Sequence, residues 1–359
     1  MSSLKSTRAA VLYGPKDVRV ESINIADLRP GWVLLKVKAA GICGSDLHLY
    51  KQKTPIPVSS ELGEGKYVPG HELAGEVYQI GPDVTGIAKG DRVGVEPTIS
   101  CGVCKWCRAG WYNLCSASRL VGFYLNGGMA EYCAVPADSC FKLPESVSFE
   151  EAAMLDCISV AEHAVRLAQV SNEDTVAVFG AGTIGLLAVK AALLAGAREV
   201  HAVGTHDFQL RAAKDFGAAG VINARTEKPV DRINELTGGN GVDKVIESVG
   251  GESSAVTDGL SVLRRRGILV MTGIYVKPVS IEPFGFLTKE LVMRSAWGYE
   301  NWTHIKEFAV SLDLLARGKF DVKKLITHRY PLNDAPAAFD IALNKEKSKS
   351  IKVQIVFPK

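Results

Sequence analysis

Residues 175–197 read TVAVFGAGTIGLLAVKAALLAGA, and this stretch decides the fold class. Its first five residues are apolar or β-branched and predict a buried strand, while its Ala- and Leu-rich second half predicts a helix. Between them, Gly180, Gly182 and Gly185 allow a tight turn in which backbone N–H groups can approach a pyrophosphate at the start of the helix. A glycine-rich turn alone is not specific, but its position between a strand and a helix favours a dinucleotide-binding site.

The same alternation of short apolar runs and Ala-rich helical runs extends over residues 156–297. It predicts an α/β Rossmann domain, in which a doubly wound parallel sheet is covered by helices on both faces. Residues 1–155 are instead rich in Gly and Pro, with short β-branched runs between turns, and they predict a β-rich barrel. Residues 298–359 begin with a helical run, 303–318, and end in a strand-like run. We expect them to return to the first domain, which makes the Rossmann domain an insertion.

Composition and charge argue against several classes of function. The chain has 359 residues, of which 47% are hydrophobic and 23% are charged, so it can bury the cores of two domains. A net charge of +3, from 42 basic and 39 acidic residues, gives no reason to expect a nucleic-acid or membrane partner. The N-terminus lacks the apolar core of a signal peptide, and no apolar run of about 18 residues occurs, so we expect a cytoplasmic protein.

The choice between NAD and NADP usually depends on a residue about 20 positions after the glycine turn, where Asp or Glu binds the ribose 2′-hydroxyl of NAD. Here that position falls on Gly204. A missing carboxylate removes the charge that would repel a 2′-phosphate, and Thr205, His206 and Arg225 could donate hydrogen bonds to one. A slight preference for NADP follows. Two alternatives stay open: Asp207 could restore NAD binding if the loop is shifted, and Gly204 could simply end a strand.

A cysteine-rich lobe is predicted at about residues 96–118. Residues 101–115 read CGVCKWCRAGWYNLC, which gives four cysteines, Cys101, Cys104, Cys107 and Cys115. Two-residue gaps let a tight turn direct successive sulfurs at one point, and four sulfurs close the coordination sphere of a tetrahedral zinc ion. The alternative, two disulfides, does not fit a chain without an export signal. The spacing therefore predicts a structural zinc site with no part in catalysis.

A second group of metal-binding residue types is scattered along the first domain: Cys43, His71, Glu72 and, as a further candidate, Asp156. Together they offer one sulfur, one imidazole and one or two carboxylates. A catalytic zinc requires three protein ligands and one exchangeable water, because the open position must accept a substrate oxygen. Each of these residues alone would more often belong to the core or the surface, so the sequences around them decide.

Those local sequences resemble a known family. Residues 70–75, GHELAG, resemble the zinc signature of the medium-chain alcohol and polyol dehydrogenases, and residues 41–48, GICGSDLH, resemble their catalytic-cysteine segment. With the cysteine-rich lobe and the glycine turn in the family's order, the resemblance covers essentially the whole chain. It implies a GroES-like catalytic domain joined to a Rossmann domain, a catalytic zinc in the cleft between them, and a homodimer or homotetramer.

The resemblance also implies a role for each candidate zinc ligand. Cys43 and His71 would bind the catalytic zinc, with Glu72 as a constant or alternating ligand. The metal would lower the pKa of a bound alcohol, and hydride would pass from the carbinol carbon to the nicotinamide.

A proton relay and a nicotinamide pocket are implied in the same way. Ser45 would accept the proton of the alcohol, His48 would pass it towards solvent, and Asp46 would hydrogen-bond the zinc-ligating imidazole. Three apolar side chains are expected near the nicotinamide: Val160, Ile184 and, beside its amide, Ile274.

The remaining zinc-ligand position departs from the family pattern. Where the alcohol dehydrogenases carry Cys and many polyol dehydrogenases carry Glu, this chain has Asp156, and Cys157 follows it directly. Aspartate can bind zinc, whereas a shift by one residue would offer a softer sulfur ligand. We favour Asp156, because Ser159 and His163 then keep their family positions.

The sequence assigns the substrate only by class. The closest resemblance is to sorbitol and related polyol dehydrogenases, but the Arg-Tyr pair of many of them appears here as Gly298-Tyr299, so a multidentate guanidinium is lost. Residues 51–67 form either a loop over the cleft or a surface insertion. We therefore expect an NAD(P)-dependent zinc dehydrogenase of a secondary alcohol or a polyol of sugar-alcohol or cyclitol type. The alternatives are a zinc-free quinone or enone reductase of the superfamily and a noncatalytic cofactor-binding protein, and the intact zinc-ligand set disfavours both.

Overall fold

The chain forms two compact units in the computed structural model, which describes residues 4–51, 62 and 66–358. Unit 1 contains Met1–Asp156 and Asn301–Lys359, and unit 2 contains Cys157–Glu300. Most of the loop or insertion that we predicted at residues 51–67 lies outside the described residues. Among the helices of the described ranges, none has both the length and the apolar character that a membrane span needs.

The regular secondary structure in the first segment of unit 1 is mainly strand. They are β1 (Ser6–Gly14), β2 (Asp17–Asn24), β3 (Trp32–Gly41), β4 (Glu72–Ile80), β5 (Arg92–Val95), β6 (Thr98–Ile99), β7 (Arg119–Leu120), β8 (Tyr132–Pro136) and β9 (Cys140–Lys142). Its helices are short: α1 (Gly44–Tyr50), α2 (Lys105–Arg108) and α3 (Phe149–Ala152). This composition agrees with the β-rich character predicted for the first domain.

Unit 2 contains the parallel sheet that the sequence predicted. Helix α4 (Leu155–Leu167) begins at the end of unit 1 and continues into unit 2. The strands are β10 (Thr175–Phe179), β11 (Glu199–Gly204), β12 (Gly220–Asn223), β13 (Val242–Glu247), β14 (Leu263–Met271) and β15 (Val292–Ser295), and the further helices are α5 (Thr183–Leu194), α6 (Asp207–Asp215), α7 (Pro229–Leu236), α8 (Ala255–Val262) and α9 (Pro283–Thr288). The strand order is β12–β11–β10–β13–β14–β15, with all neighbours parallel. The order reverses between β10 and β13, and doubly wound sheets bind ligands outside the carboxyl ends of the strands at such a point.

The last segment of the chain returns to unit 1. It contains β16 (Asn301–Trp302), β17 (Ile305–Lys306), α10 (Glu307–Ala316), β18 (Ile326–Tyr330), α11 (Ala335–Leu343), α12 (Lys345–Ser348) and β19 (Lys352–Val356). The helix predicted over residues 303–318 is shorter than expected, because the small hairpin of β16 and β17 takes up its first residues. Strand β19 pairs antiparallel with β3, so the main sheet of unit 1 runs β18–β19–β3–β4–β5–β9, with β8 also paired to β3.

Each unit has its own hydrophobic core. In unit 1, Val33, Leu35 and Val37 lie two residues apart on β3 and are buried in that core, which follows the period of a strand. In unit 2, all five residues of β10 are buried, because helices cover both faces of a parallel sheet. Because these strands are packed in the two cores, their ends, which carry candidate site residues, are held in place.

Candidate metal centres and cofactor site

The first candidate metal centre forms where β3 and β4 approach helix α1. The pairing of β3 with β4 places Gly41 opposite Glu72, so the residues that follow β3 lie beside the start of β4. Cys43 lies between β3 and α1, and its backbone N–H donates to Oδ2 of Asp46 at 2.9 Å. A carboxylate in the first helical turn is favoured by the partial positive charge at the helix N-terminus. The backbone of the cysteine is therefore held in place by the helix that follows it.

Three of the four residues predicted for the catalytic zinc come together at this point. One ligand atom each from Cys43, His71 and Glu72 lies within 4.8 Å of the other two. His71 and Glu72 are buried, and Cys43 is partly exposed. A sulfur, an imidazole nitrogen and a carboxylate oxygen form a donor set that zinc accepts, and three protein ligands leave one position open. The residues present therefore fit a catalytic zinc ion.

His71 and Asp46 form a buried pair behind these ligand atoms. Nδ1 of His71 and Oδ1 of Asp46 are 3.8 Å apart, and neither atom has a hydrogen-bond partner within the described residues. Burial lowers the pKa of His71, but the negative charges of Cys43 and Asp46 outweigh burial and raise this pKa well above its ordinary value. Burial is also the main cause that raises the pKa of Asp46. A carboxylate beside a ligand imidazole can fix its tautomer and orientation. At 3.8 Å, however, the hydrogen bond that the family resemblance implies between Asp46 and this imidazole is not formed in the structure.

Asp156, the fourth predicted ligand, is not part of this group of ligand atoms in the described structure. It lies in the first turn of α4 and is partly exposed, and its charge is one of those that act on His71. The alternative, Cys157, is buried. The charge of Asp156 thus acts on His71, while its carboxylate does not join the group in which every ligand atom lies within 4.8 Å of the others.

Lys352 completes the centre, and sequence reasoning missed it. Its Nζ donates to both carboxylate oxygens of Glu72, each at 2.7 Å, and to the backbone oxygen of Ile42 at 3.2 Å. The side chain of Lys352 is 3% exposed and that of Glu72 is 0% exposed, so this ion pair is almost completely removed from water. The lysine offsets the charge of Glu72 and competes with a metal ion for its oxygens. No local pattern pointed to this role, because 280 residues separate the two partners.

A second lysine lies in the same region. Burial and the positive charge of Lys352 lower the pKa of Lys345, at the start of α12, while the negative charge of Cys43 acts in the opposite direction. The first candidate metal centre, the Cys43 centre with its ligand atoms from Cys43, His71 and Glu72, is therefore surrounded by more positive charge than the predicted ligand set suggested.

The two residues predicted for the proton relay share one face of α1. Ser45 and His48 are three residues apart on this helix, a spacing that places side chains on the same side, and both are partly exposed. A relay needs such an intermediate position, because one end must meet the substrate and the other must reach solvent.

The second candidate metal centre is the four-cysteine loop. One sulfur each from the four predicted cysteines, Cys101, Cys104, Cys107 and Cys115, lies within 4.8 Å of the others. Sγ of Cys107 is 3.5 Å from Sγ of Cys104 and 3.9 Å from Sγ of Cys101. Ligands at about 2.3 Å from a tetrahedral zinc ion are about 3.8 Å apart, whereas the sulfurs of a disulfide are about 2.05 Å apart. All four cysteines are free, so the arrangement fits closed zinc coordination and not the disulfide alternative.

The loop prepares its thiols for a metal by local hydrogen bonds. Backbone N–H groups of Val103 and Cys104 lower the pKa of Cys101 to about 6. The backbone N–H of Cys107 likewise lowers the pKa of Cys104, which caps helix α2. Burial raises the pKa of Cys107 to about 11, so this thiol depends on the metal for its ionisation.

A buried carboxylate attaches the lobe to the rest of unit 1. Glu96 is 0% exposed, and its two oxygens accept hydrogen bonds from the hydroxyl of Tyr112 in the lobe and from Nζ of Lys306 in β17. The backbone N–H of Asn301 also donates to the oxygen of Gly110 at 3.0 Å. The lobe is therefore fastened both to the end of β5 and to the returning segment of the chain.

The predicted dinucleotide turn lies between β10 and α5 in unit 2. Gly180 has a φ of +102°, and a Cβ on it would lie 2.7 Å from Oγ of Ser248. A Cβ on Gly185 would run into the backbone oxygen of Gly180, so both positions need glycine. Gly182 caps the N-terminus of α5, and a Cβ there would meet open space. The turn thus leaves the helix N-terminus accessible, which suits a pyrophosphate.

The segments predicted to select the cofactor lie side by side. Gly204 ends β11, and its backbone oxygen accepts a hydrogen bond at 2.8 Å from the N–H of Ala224, just after β12. Oδ1 of Asp207 accepts a hydrogen bond from Nδ2 of Asn223 at 2.7 Å. Thr205 and Arg225 are exposed, one in each segment, and the predicted His206 is partly exposed between Thr205 and α6.

The three residues predicted near the nicotinamide lie on two helices and one connecting segment of unit 2. Val160 in α4 and Ile184 in the first turn of α5 are partly exposed, and so is Ile274 after β14. Gly298 has a φ of +62°, in the left-handed region where an arginine would be strained. This backbone conformation favours glycine at position 298, where the Arg-Tyr pair of the family would carry its guanidinium.

Two family models match the chain. The alcohol dehydrogenase GroES-like domain matches residues 29–145, and the zinc-binding dehydrogenase family matches residues 183–317. Sorbitol dehydrogenase of Bacillus subtilis (strain 168) is 33% identical over 355 residues, which are 98% of this chain and 97% of that protein.

Solved structures show the same relationship. The crystal structure of 2R,3R-butanediol dehydrogenase from Bacillus subtilis has a TM-score of 0.86 and 34% identity, and covers 98% of this chain and 100% of that chain. A protein from Sinorhizobium meliloti 1021, solved bound to NADP, has a TM-score of 0.87 and 30% identity, and covers 99% of this chain and 100% of that chain.

Proposed function

This chain belongs to the zinc-binding, GroES-like alcohol dehydrogenase family, and we propose that it oxidises a secondary hydroxyl group of a polyol or related alcohol with NAD(P). Membership in this family confirms the resemblance, the GroES-like and Rossmann architecture and the dehydrogenase activity that the sequence predicted. The zinc-free reductase and the noncatalytic protein receive no support from these relationships.

The observation that carries the proposal is the group of ligand atoms from Cys43, His71 and Glu72, within 4.8 Å of one another. A zinc ion held by these residues would supply a Lewis acid that lowers the pKa of the substrate hydroxyl, and the nicotinamide would accept the hydride. Asp156 remains our candidate for a further ligand. The four-cysteine centre would bind a second zinc ion with a structural role.

The protein's own residues would handle the proton. Ser45 accepts it from the substrate hydroxyl, and His48, three residues further along α1, passes it to solvent, because an imidazole titrates near neutral pH. Asp46, whose Oδ1 lies 3.8 Å from Nδ1 of His71, would orient the ligand imidazole through its charge.

Lys352 would tune the charge of the ligand set. Its ammonium group donates to both oxygens of Glu72, so it offsets the charge of this carboxylate and makes the ligand set as a whole less negative. A less negative ligand set keeps more of the metal's positive charge available to the substrate oxygen, which favours its ionised form.

The assignment of a polyol substrate rests on the names of the similar proteins, and Gly298 restricts the contacts that can hold such a substrate. A sorbitol dehydrogenase and a 2R,3R-butanediol dehydrogenase are among them, and the compound in each name carries more than one hydroxyl group. Because glycine at 298 offers no guanidinium, we expect the protein to hold its substrate by other contacts than an Arg-Tyr pair. We also expect a homodimer or homotetramer.

For the cofactor we keep a slight preference for NADP. Gly204 offers no carboxylate to the ribose, and Asp207, which could have replaced it, already binds Asn223. The exposed Arg225 lies in the segment adjacent to Gly204, from which it could reach a 2′-phosphate.

An alcohol panel combined with zinc analysis tests the proposal. The wild type should contain about two zinc ions per chain, one for each ligand cluster, and oxidise secondary alcohols or linear or cyclic polyols with NAD or NADP. Cys43→Ser should contain about one zinc ion and lose activity about a thousandfold, because a metal ion contributes several kcal/mol to such a reaction. Cys140→Ser, the same exchange outside both metal centres, should change neither value. Unchanged zinc content and turnover in Cys43→Ser would reject the proposal.

A further inference from the structure

Glu247 is a buried carboxylate that the proposed reaction leaves without a role. It is the last residue of β13, beside the point where the strand order reverses, and it is 0% exposed. Oε1 accepts hydrogen bonds from the backbone N–H groups of Val249 at 2.6 Å and Gly250 at 2.8 Å, and Oε2 accepts one from Gly273 at 3.3 Å. The carboxylate therefore ties the segment that follows β13 to the segment that follows β14.

These two segments are in close backbone contact. A Cβ on Gly250 would lie 2.6 Å from both the backbone nitrogen and the backbone oxygen of Ile274, and one on Gly273 would lie 2.8 Å from Oε2 of Glu247. The N–H of Gly251 donates to the oxygen of Ile274 at 2.8 Å. Glu247 thus fixes the backbone around Ile274, the residue that we expect beside the nicotinamide amide.

The same carboxylate is linked to the glycine turn through the next residue in the chain. Oγ of Ser248 donates to the backbone oxygens of Phe179 at 3.1 Å and Gly180 at 3.3 Å. The pyrophosphate side and the nicotinamide side of the expected cofactor site are therefore joined at residues 247 and 248.

The charge of Glu247 is not part of an ion pair with any Lys, Arg or His of the described residues. Its oxygens accept hydrogen bonds from backbone N–H groups, and the side chain of Tyr275 also hydrogen-bonds to the carboxylate. Burial of such a charge costs free energy that backbone N–H groups offset only in part, and a cationic ligand would offset it further.

We propose that Glu247 is a positioning residue for the nicotinamide half of the cofactor, and that its charge favours the oxidised, cationic ring over the reduced, neutral ring. The inference rests on the nicotinamide-dependent part of the proposed function and does not depend on zinc. A carboxylate that only held the two segments together would affect both forms of the cofactor equally, whereas its charge distinguishes between them.

Calorimetric titration of one cofactor in both redox forms separates these effects. For NAD or NADP, whichever the wild type binds more tightly, we expect Glu247→Gln to raise the ratio of the Kd of the oxidised form to that of the reduced form at least about threefold. That is the size of effect expected from one charge partly screened by protein. Glu252→Gln is the matched control, because Glu252 lies in the same loop but is 46% exposed and paired with Lys277 at 2.7 Å. It should leave the ratio unchanged.

Glu247→Asp keeps the charge and shortens the side chain. It should weaken the binding of both forms and leave their ratio within about twofold of the wild-type value, and it serves as the test if Glu247→Gln does not fold. Equal weakening of both forms in Glu247→Gln, or a shift in the ratio with Glu247→Asp, would overturn the inference. A wild type that bound neither form would overturn the proposed function as well, whereas cofactor binding without alcohol oxidation would count against the proposed reaction alone.

Discussion

The two candidate metal centres are built in opposite ways. The four-cysteine centre takes all its sulfurs from residues 101–115, and backbone N–H groups of the same loop lower the pKa of two of its thiols. The Cys43 centre takes its ligands from the ends of two paired strands, and the lysine that balances Glu72 is 280 residues away in the sequence. A single loop can close a coordination sphere, whereas ligands on separate elements can leave one position open for a substrate.

This difference predicts what each centre contributes. A closed centre within one loop should stabilise that loop and its attachments, with little direct effect on chemistry. A centre assembled by the packing of strands should depend on buried partners from the whole unit and should govern turnover. Substitutions in the two centres should therefore separate stability from activity.

The largest effect on stability is expected from Cys104→Ala. It removes one zinc ligand and the cap of α2, so one zinc ion should be lost and the thermal midpoint should fall by about 10 °C. Turnover per folded molecule, measured well below that midpoint, should stay within about threefold, since this centre takes no part in the proposed reaction. Cys140→Ala provides the control outside both centres. A Cys104→Ala protein that kept its stability and lost turnover would contradict the view that the four-cysteine centre serves stability and the Cys43 centre serves turnover.

A smaller loss of stability is expected from Lys352→Met. The variant leaves Glu72 buried without its cationic partner, which should lower the free energy of unfolding of the metal-free protein by about 3 kcal/mol. The double variant Glu72→Gln/Lys352→Met should recover at least about half of that loss, because it removes the unpaired charge as well. Urea unfolding measures both values.

Lys347→Met is the control for this pair, since Lys347 is exposed at the end of α12 and should change stability by less than about 0.5 kcal/mol. If Lys352→Met lowered the free energy of unfolding no more than Lys347→Met does, the Cys43 centre would not depend on the distant strand that carries Lys352.

The comparison also explains how much the sequence could predict. The four cysteines and the glycine turn were predictable because each is a short pattern whose residues act together locally, and the alternating runs predicted the parallel sheet of unit 2 for the same reason. Cys43, His71 and Glu72 were identified from the segments around them, although the strand pairing that joins these segments is visible only in the fold.

Residues whose function comes from burial could not be found in this way. Lys352 lies in the strand KVQIV, where a single lysine looks like an exposed position, and only the packing of β19 against β3 buries it against Glu72. Glu247 ends the strand VDKVIE in the same inconspicuous manner. Asp156 was proposed as a ligand from its place in the family pattern, and the described structure shows its charge acting on His71 without bringing its oxygens into the group of ligand atoms.

The smallest expected effect concerns the alkylation of Cys101, and it tests whether the loop of the four-cysteine centre lowers the pKa of its thiols without a metal ion. Because backbone N–H groups lower the pKa of Cys101 to about 6, this thiol should be ionised above that pH in zinc-stripped protein, and its alkylation rate should reach half its maximum near pH 6. Cys140, whose pKa is raised to about 12 by burial, should stay unmodified at pH 7 in the same sample. Mass spectrometry of iodoacetamide-treated peptides measures both, and added zinc should protect Cys101. If the alkylation rate of Cys101 rose only near pH 9, where an ordinary cysteine thiol ionises, then the loop would not lower the pKa of this thiol. The four-cysteine centre would then need its metal ion as much as the Cys43 centre does.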